Sequence, residues 1–203
     1  MLIKTIEVGY LATNCYIVTH EGTLDCAIID PGSDSAVILD YVETNHLHPQ
    51  AILLTHGHFD HCMALEEVYD ALQVPVYMSE KDVGTDIGNQ GFELDPPDET
   101  TFVTEGEEIH AGALNFTVLE TPGHTPGGLT YRIENCLFTG DTLFRLSCGR
   151  YDFPGSSSME LCHSLEQLRD LPGDYEVYPG HEAPSTLEFE RRFNPYLLKP
   201  WIL

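Results

Sequence analysis

Residues 55–61, Thr-His-Gly-His-Phe-Asp-His, carry three imidazoles and one carboxylate within a single short segment. Imidazole nitrogens and carboxylate oxygens are good ligands for borderline divalent metals such as zinc. Three further candidate ligands follow in turn-like segments that contain glycine: His124 in Pro-Gly-His-Thr, Asp141 in Gly-Asp-Thr and His181 in Pro-Gly-His-Glu. Together these side chains are enough to fill two adjacent metal sites, so the chemistry to expect is that of two cations acting on a water molecule.

The spacing within the first segment indicates how the ligands divide between two ions. His56 and His58 are two residues apart on an extended segment, so both can face the same ion. Asp60 and His61 lie at the start of the next predicted helix and suit a second ion. Asp141 can bridge the two ions because a carboxylate has two oxygens. Cations about 3.5–4 Å apart share a water and lower its pKa towards about 7, which gives a nucleophile at neutral pH.

The candidate ligands follow predicted strands, and loops at strand ends can bring distant residues together on a rigid scaffold. Alternating or continuous apolar residues bounded by turn-forming residues predict the strands. Pro75 marks either an edge strand or the start of a strand. The predicted strands are 2–8, 15–19, 26–30, 51–54, 74–78, 114–120, 129–133, 136–139 and 175–178.

Apolar residues at helical spacing predict four helices between these strands. Ser33 is the predicted N-cap of the first helix, and the second is predicted to begin near positions 60–61. Ser157 begins a Ser-x-x-Glu capping box for the third. Ser185 begins the same pattern for the last helix, which Pro195 is predicted to end. Sheets with helices packed outside them fit this order of elements.

The segment 79–108, two cysteines and the remaining histidines are interpreted as structural or surface features. Residues 79–108 form an acidic stretch broken by glycine and proline and are predicted to be a surface insertion, with a loop over the active site as the alternative. Cys62 and Cys148 are interpreted as small packing residues. The histidines outside the motifs are assigned no function: His20, His46, His48, His110 and His163.

Length and composition narrow the range of functions. A chain of 203 residues is expected to form one domain, 1–203, with a substantial core. Its 33 carboxylates against 9 lysines and arginines repel polyanions, so we expect no nucleic-acid partner. The six cysteines show no CxxC spacing, and no signal-like or bilayer-length apolar segment occurs. We therefore expect a cytoplasmic protein with reduced thiols and no membrane association, as a monomer or small homo-oligomer.

The residues 55–61 match the His-x-His-x-Asp-His signature of the metallo-β-lactamase-fold hydrolases, and the later Gly-His, Gly-Asp and Gly-His segments follow in that family's order. The chain resembles this family over nearly its whole length. The resemblance implies an α/β (α+β) fold, a four-layer αββα sandwich with a binuclear site on one edge. It also implies the ligand sets: His56, His58 and His124 for one ion, Asp60, His61 and His181 for the other, and Asp141 as the bridge.

Within that superfamily the chain is most similar to glyoxalase II enzymes, through residues 140–144 and 148–153, and its length resembles their short, single-domain bacterial type. This implies hydrolysis of a small thioester such as S-lactoylglutathione by a hydroxide that bridges two divalent ions, with zinc preferred over iron or manganese. Asp60 and Asp141 are then the catalytic candidates. Arg150 and Tyr151 are the candidates for contact with the substrate, and a structural ion pair is the alternative role of Arg150.

Several alternatives to this function stay open. A persulfide dioxygenase of the same fold would use one iron, held by His56, His124 and Asp141. A metallohydrolase of other small esters or lactones would use both ions. The His-x-His-x-Asp-His form and the small chain argue against a β-lactamase, and the complete ligand set argues against a metal-binding protein without catalytic activity.

Overall fold

The computed structural model describes residues 1–89 and 91–199. Its first six strands form one sheet, in which they are arranged in sequence order. The strands are β1 (Leu2–Val8), β2 (Thr13–Thr19), β3 (Asp25–Ile29), β4 (His48–Leu53), β5 (Val76–Met78) and β6 (Thr101–Phe102). Strands β1 to β3 are antiparallel, whereas β3 to β6 run parallel. The parallel strands therefore end at one edge of the sheet, where the loop after β4 emerges.

The later strands build a second sheet and a short hairpin. They are β7 (Glu108–Ala111), β8 (Leu114–Glu120), β9 (Leu129–Ile133), β10 (Cys136–Gly140), β11 (Leu143–Phe144), β12 (Ser147–Cys148), β13 (Glu176–Pro179) and β14 (Ser185–Thr186). The second sheet has the order β14-β13-β10-β9-β8-β7, and β11 pairs with β12. All neighbours in this sheet are antiparallel except β10 and β13, so these two strands also end side by side.

The helices cover the outer faces of the two sheets. They are α1 (Ser35–Thr44), α2 (Phe59–Cys62), α3 (Leu65–Leu72), α4 (Ser158–Arg169), α5 (Leu187–Phe193) and α6 (Pro195–Leu198). Ile38 of α1 and Val68 of α3 share a buried cluster with the first sheet, whereas Leu165 of α4 and Leu187 of α5 share one with the second. Within residues 1–89 and 91–199, no helix has the length and apolar content needed to cross a bilayer.

Buried apolar side chains of both sheets form the central core between them. Ile29 and Leu53 of the first sheet belong to the same cluster as Phe116 and Phe138 of the second. Strands β3, β4 and β10 present alternate side chains to this core and to the helices, as the period of a strand requires. The layers therefore run helix, sheet, sheet, helix, which confirms the predicted αββα fold class.

The predicted strands are confirmed, with shifts of one to three residues at their ends. The strand predicted at 26–30 runs from Asp25 to Ile29. Pro75 directly precedes β5, which lies between β4 and β6. Pro75 therefore marks the start of a strand, and the alternative of an edge strand is wrong.

The first two predicted helices differ from the structure in detail. Ser33 does not cap α1: the N-cap is Asp34, in the left-handed region at φ 54°, and its carboxylate accepts a hydrogen bond from the Gly9 amide instead of from the helix. The helix predicted from positions 60–61 is divided into α2 and α3, because the Ala64 amide donates to the Pro31 carbonyl, outside the helix (3.0 Å).

The caps of the two later helices differ in outcome. Ser157 caps α4 as predicted, since its hydroxyl accepts from the Glu160 amide. Ser185 does not cap α5, because it belongs to β14 and its hydroxyl hydrogen-bonds to the Glu190 carboxylate. Thr186 is the cap, accepting from the Phe189 amide at 3.2 Å.

The segment 79–108 is more than a surface insertion. It begins with a single 3-10 turn, Glu80–Asp82, and contains β6. Asp82 and Ile87 are buried, and the Ile87 carbonyl contacts His58 at 2.8 Å. Part of this segment therefore packs directly against the predicted metal ligands.

Candidate metal centre

The predicted ligands lie after β4, β8, β10 and β13, and these strands deliver them to one edge of the sandwich. The residues that the structure brings together are His56, His58, Asp60, His61, His124, Asp141 and His181. Gly180 lets the chain pass close to them, since a Cβ there would lie 2.3 Å from Asp141 Oδ1 and 2.6 Å from His61 Cε1. Glycine is thus required beside the ligand that follows it.

The first triad consists of His56, His58 and His124, whose ligand atoms all lie within 4.8 Å of one another. All three side chains are buried. His58 Nε2 contacts the Ile87 carbonyl at 2.8 Å, and His124 Nδ1 contacts the Arg150 carbonyl at 2.7 Å. Because a carbonyl only accepts, each ring carries its proton there and leaves its other nitrogen free for a cation.

His56 is oriented by its own neighbour in sequence. The Thr55 hydroxyl donates to Asp30 Oδ2 at 2.7 Å, so its oxygen accepts from His56 Nδ1, 3.0 Å away. This arrangement leaves Nε2 of His56 as the ligand atom. The three imidazoles of the first triad are therefore held by neutral acceptors, namely two carbonyls and one hydroxyl.

The second triad consists of Asp60, His61 and His181, again with ligand atoms within 4.8 Å of one another. Here the orienting group is charged: His61 Nδ1 lies 2.9 Å from Asp30 Oδ2. The Thr13 hydroxyl donates to Asp60 Oδ2 at 2.9 Å, and His181 Nε2 lies 3.2 Å from the same oxygen. Asp60 and His181 are the more open members, with 14% and 22% of their side-chain surface exposed.

Asp141 lies between the two triads. Its Oδ1 is 3.4 Å from Nε2 of His61 in the second triad, and its Oδ2 is 3.4 Å from Nε2 of His124 in the first. It also forms a third potential ligand group with His56 and His61, one from each triad. The two oxygens are therefore placed as a bridging carboxylate requires.

The residues present fit a divalent metal. Within the described residues, four buried ligand atoms have no hydrogen-bond partner: His56 Nε2, His61 Nε2, His124 Nε2 and Asp141 Oδ1. Leaving a buried polar atom unpaired costs about 1–3 kcal/mol, so such atoms in one cluster need an explanation. Divalent cations bound to these atoms supply it, because these are the nitrogen and oxygen donors that zinc and iron accept.

The electrostatics of the two triads differ. Burial lowers the pKa of each imidazole in the first triad, which keeps these rings neutral. Burial acts in the same direction on His61, but the Asp141 and Asp30 carboxylates outweigh it and raise the pKa of His61 well above its usual value. At His181, burial is likewise outweighed by Asp60 and Asp141, and its pKa is raised.

The carboxylates at the centre are kept ionised. Burial alone would raise the pKa of Asp141, but the nearby imidazoles, His61 first, bring it well below its usual value. The pKa of Asp60 is lowered in the same way, against the effect of burial, chiefly by its hydrogen bond with His181. Metal binding requires deprotonated carboxylates, so both are in the state that a cation needs.

The predicted substrate residues lie at the rim of the site. Arg150 forms a two-fold ion pair with Asp152, at 2.9 Å for both contacts, and its guanidinium carbon lies 4.1 Å from the centre of the Phe153 ring. Arg150 thus forms the structural ion pair that was named above as its alternative role. Its contact with a substrate stays a prediction. Tyr151 beside it is 38% exposed.

The residues interpreted as packing or surface residues lie outside the centre. Burial raises the pKa of Cys148 to about 12, and the buried Cys62 thiol donates to the His58 carbonyl at 3.0 Å, which suits small packing residues. Of the histidines without an assigned function, four are exposed and His20 is half-buried.

Four residues that support the ligands are missed by the sequence patterns. Thr13, Asp30 and Thr55 are described above, and Asp82 accepts hydrogen bonds from the loops of the first triad. Burial raises the pKa of Asp82, although the Thr125 hydroxyl and two backbone amides oppose this. Asp30 directly follows a buried strand next to β4, which is a usable signal, whereas no local pattern singles out Asp82.

Comparisons with known proteins agree with this geometry. The sequence profile of the metallo-beta-lactamase superfamily matches residues 8–181. A hydroxyacylglutathione hydrolase of Bdellovibrio bacteriovorus is 35% identical over 179 residues, which are 87% of this chain and 66% of that protein.

Two crystal structures resemble the chain over nearly its whole length. The BLEG-1 B3 metallo-beta-lactamase is 32% identical, with 97% of this chain and 99% of that chain covered and a TM-score of 0.88. TTHA1623 in a di-iron-bound form is 38% identical, with 95% and 99% covered and a TM-score of 0.83. By sequence and by fold, the chain belongs to the metallo-beta-lactamase superfamily, as a metallo-hydrolase whose fold binds divalent metal ions.

Proposed function

We propose that this protein hydrolyses small thioesters with two divalent cations, of which zinc is the first choice and iron or manganese the alternatives. The observation that carries the proposal is the pair of ligand triads with Asp141 between them, together with their unpaired buried ligand atoms. Such a set exceeds what one structural ion needs, since a closed zinc site uses four ligands.

Each part of the centre has a definite task. His56, His58 and His124 would hold one cation, and Asp60, His61 and His181 the other, with Asp141 contacting both. When bound, the cations supply an activated water at neutral pH and a Lewis acid for the oxyanion that develops on the substrate. Asp60 is fixed by the Thr13 hydroxyl and stays partly exposed, so it can accept a hydrogen bond from the attacking water and orient it.

A thioester suits this centre because its leaving group needs no proton donor. A thiol has a pKa near 8.5, so the thiolate is a competent leaving group at neutral pH. Asp60 and His181 are the least buried side chains of the centre, which makes their side the point of approach for a substrate. The hydroxyacylglutathione hydrolase among the relatives supports a thioester of this kind.

Glutathione itself is not essential to the proposal. The charge of Arg150 is already paired with Asp152, and the chain carries a net charge of −24. Both features weaken attraction for an anionic thiol carrier. We therefore propose that the thioester group, and not the glutathione moiety, is what the enzyme selects.

A second candidate is hydrolysis of a β-lactam amide, and one observation favours it. The BLEG-1 metallo-beta-lactamase has a similar fold over almost the full length of both chains. The same activated water and Lewis acid would serve an amide carbonyl. An amide nitrogen is a poorer leaving group than a thiolate, so this reaction needs a group at the site that stabilises or protonates the departing nitrogen.

The test is a substrate panel on protein whose metal content is measured. S-lactoylglutathione is compared with the lactoyl thioester of N-acetylcysteamine, and nitrocefin serves as the β-lactam. We expect turnover of both thioesters that requires about two metals per chain, and a loss of about 10³-fold in Asp141→Asn, since removing a cation contact costs several kcal/mol. The matched control is Asp34→Asn, which removes the same charge at an exposed position.

Other results would contradict the proposal. Turnover of nitrocefin without turnover of thioesters would favour the second candidate. One iron per chain, with oxygen uptake on glutathione persulfide, would identify the dioxygenase alternative instead. Metal-free protein with full thioesterase activity would end the two-metal mechanism.

A further inference from the structure

We infer that Asp82 is a positioning residue for the first triad: it holds the loops of His56, His58 and His124 in place and leaves the second triad unaffected. This inference rests on the two-metal function proposed above. Asp82 touches none of the ligand side chains through its hydrogen bonds, and acts through the backbone on either side of them.

The carboxylate of Asp82 joins two loops that are far apart in sequence. Its Oδ2 accepts from the Gly57 amide and from the Thr125 hydroxyl, both at 2.8 Å. Its Oδ1 accepts from the Gly127 amide at 2.6 Å. Gly57 lies between His56 and His58, and Thr125 follows His124, so one side chain fixes the distance between the two parts of the triad.

The neighbouring glycines leave room for this contact. A Cβ at Gly57 would lie 2.8 Å from Asp82 Cβ, and a Cβ at Gly127 would lie 2.6 Å from Asp82 Cγ. Neither distance is tolerable for real atoms, so both loops need glycine where they meet the carboxylate. Asp82 is 2% exposed, and burying a carboxylate costs several kcal/mol unless donors surround it, as they do here.

The residues after Asp82 extend the same contact. The Ile87 carbonyl lies 2.8 Å from His58 Nε2 and fixes the orientation of that ring. The Asn89 side chain donates to the Gly57 carbonyl at 2.8 Å and accepts from the Phe59 amide at 3.0 Å. The segment 82–89 therefore contacts the His58 loop at each of the residues 57–59.

The second triad depends on different residues. Asp30 orients His61, and Thr13 holds Asp60, and both belong to the first sheet or its loops. Loss of the Asp82 contacts should therefore weaken one site and spare the other. A merely structural role would instead lower the stability of the fold and weaken both sites together.

The experiment measures each site alone by calorimetric zinc titration of metal-free protein. His181→Ala keeps the first triad intact, and His58→Ala keeps the second. Asp82→Asn is added to each background. An amide offers one acceptor oxygen and turns an NH2 group towards at least one of the three donors. We expect zinc affinity to fall about 10–100-fold in the His181→Ala background and to change less than about 3-fold in the His58→Ala background.

Three further variants test whether the effect is specific to the Asp82 contacts. Asp86→Asn removes the same charge from an exposed position in the same segment and should change neither affinity. If Asp82→Asn does not fold, Thr125→Ala removes the hydroxyl contact from the other side, and Thr125→Ser should restore the affinity of the first site. Circular dichroism of the metal-free variants reports their thermal stability.

The possible failures are distinguishable. If the unaltered protein binds no zinc, the two-metal function itself fails, and this inference with it. If the unaltered protein binds two ions, but Asp82→Asn weakens both sites equally or lowers only the melting temperature, Asp82 is a structural residue. The positioning role is then overturned while the proposed function stands.

Discussion

Replacing Asp30 with asparagine tests whether a buried carboxylate orients the second triad. Asp30 is 1% exposed and has three donors around it. Its Oδ1 accepts from the Thr55 amide at 2.7 Å, and its Oδ2 accepts from the Thr55 hydroxyl at 2.7 Å and from His61 Nδ1 at 2.9 Å. Asparagine has a single acceptor oxygen, so its NH2 group must face at least one of these donors.

The size of the effect follows from these contacts. A hydrogen bond to a charged group contributes about 1.5–3 kcal/mol, which corresponds to about 10–150-fold in an equilibrium constant. Mutation of a residue that orients a metal ligand typically lowers metal affinity by about 10–100-fold. We therefore expect Asp30→Asn to weaken zinc binding to the second triad by about 10–100-fold. The unpaired buried donor should also cost about 1–3 kcal/mol, or about 2–12 °C in melting temperature for a chain of this size.

The assay is zinc titration against a competing chelator in the His58→Ala background, in which the second triad is the intact one. Asp34→Asn is the matched control, because Asp34 is exposed and lies four residues further along the same loop. Zinc affinity in Asp30→Asn within about 2-fold of the control would refute the reasoning. It would mean that His61 finds its orientation without the carboxylate.

Three further predictions follow from the same geometry. Asp141→Ala should reduce zinc binding to below two ions per chain by mass-spectrometric metal analysis, because it contacts both triads; two tightly held ions would contradict this. Zinc binding to the second triad should release about one or two more protons at neutral pH than binding to the first, measured with an indicator dye, because the pKa values of His61 and His181 are raised. Arg150→Ala should change kcat/KM for S-lactoylglutathione less than about 10-fold, since its charge is paired with Asp152, and a larger loss would establish substrate contact.

The sequence predicts the fold and the ligand cluster well because both depend on short-range signals. Strands of alternating or continuous apolar residues are recognisable locally, and the ligands follow directly after them. The His58 loop, for example, follows a strand whose residues Ala51–Leu54 are fully buried. The side-chain types that bind metals are few, so a dense group of them is conspicuous wherever it occurs.

The supporting residues escape prediction because their contacts are long-range. The Asp30 and Asp82 carboxylates are 25 residues or more from their hydrogen-bond partners in sequence. Aspartate is usually a surface residue, and nothing near either position in the sequence indicates that it is buried. The helix ends fail for a related reason. Ser33 and Ser185 have the right type for a cap, but the neighbouring residues Asp34 and Thr186 occupy the cap positions once the chain entering the helix is packed.

The two triads differ in what orients them, and this difference sets how each responds to pH. Carbonyls and a hydroxyl orient the first triad, and burial lowers the pKa of its imidazoles against the opposing charge of Asp141, so these rings stay neutral. In the second triad, Asp141 and Asp30 raise the pKa of His61, and Asp60 and Asp141 raise the pKa of His181. As pH falls, we therefore expect protons to displace a cation bound by the second triad before one bound by the first. If the protein binds the two cations proposed above, mildly acidic solution should leave it with one of them, and Asp60, which would orient the attacking water, belongs to the triad that loses its cation.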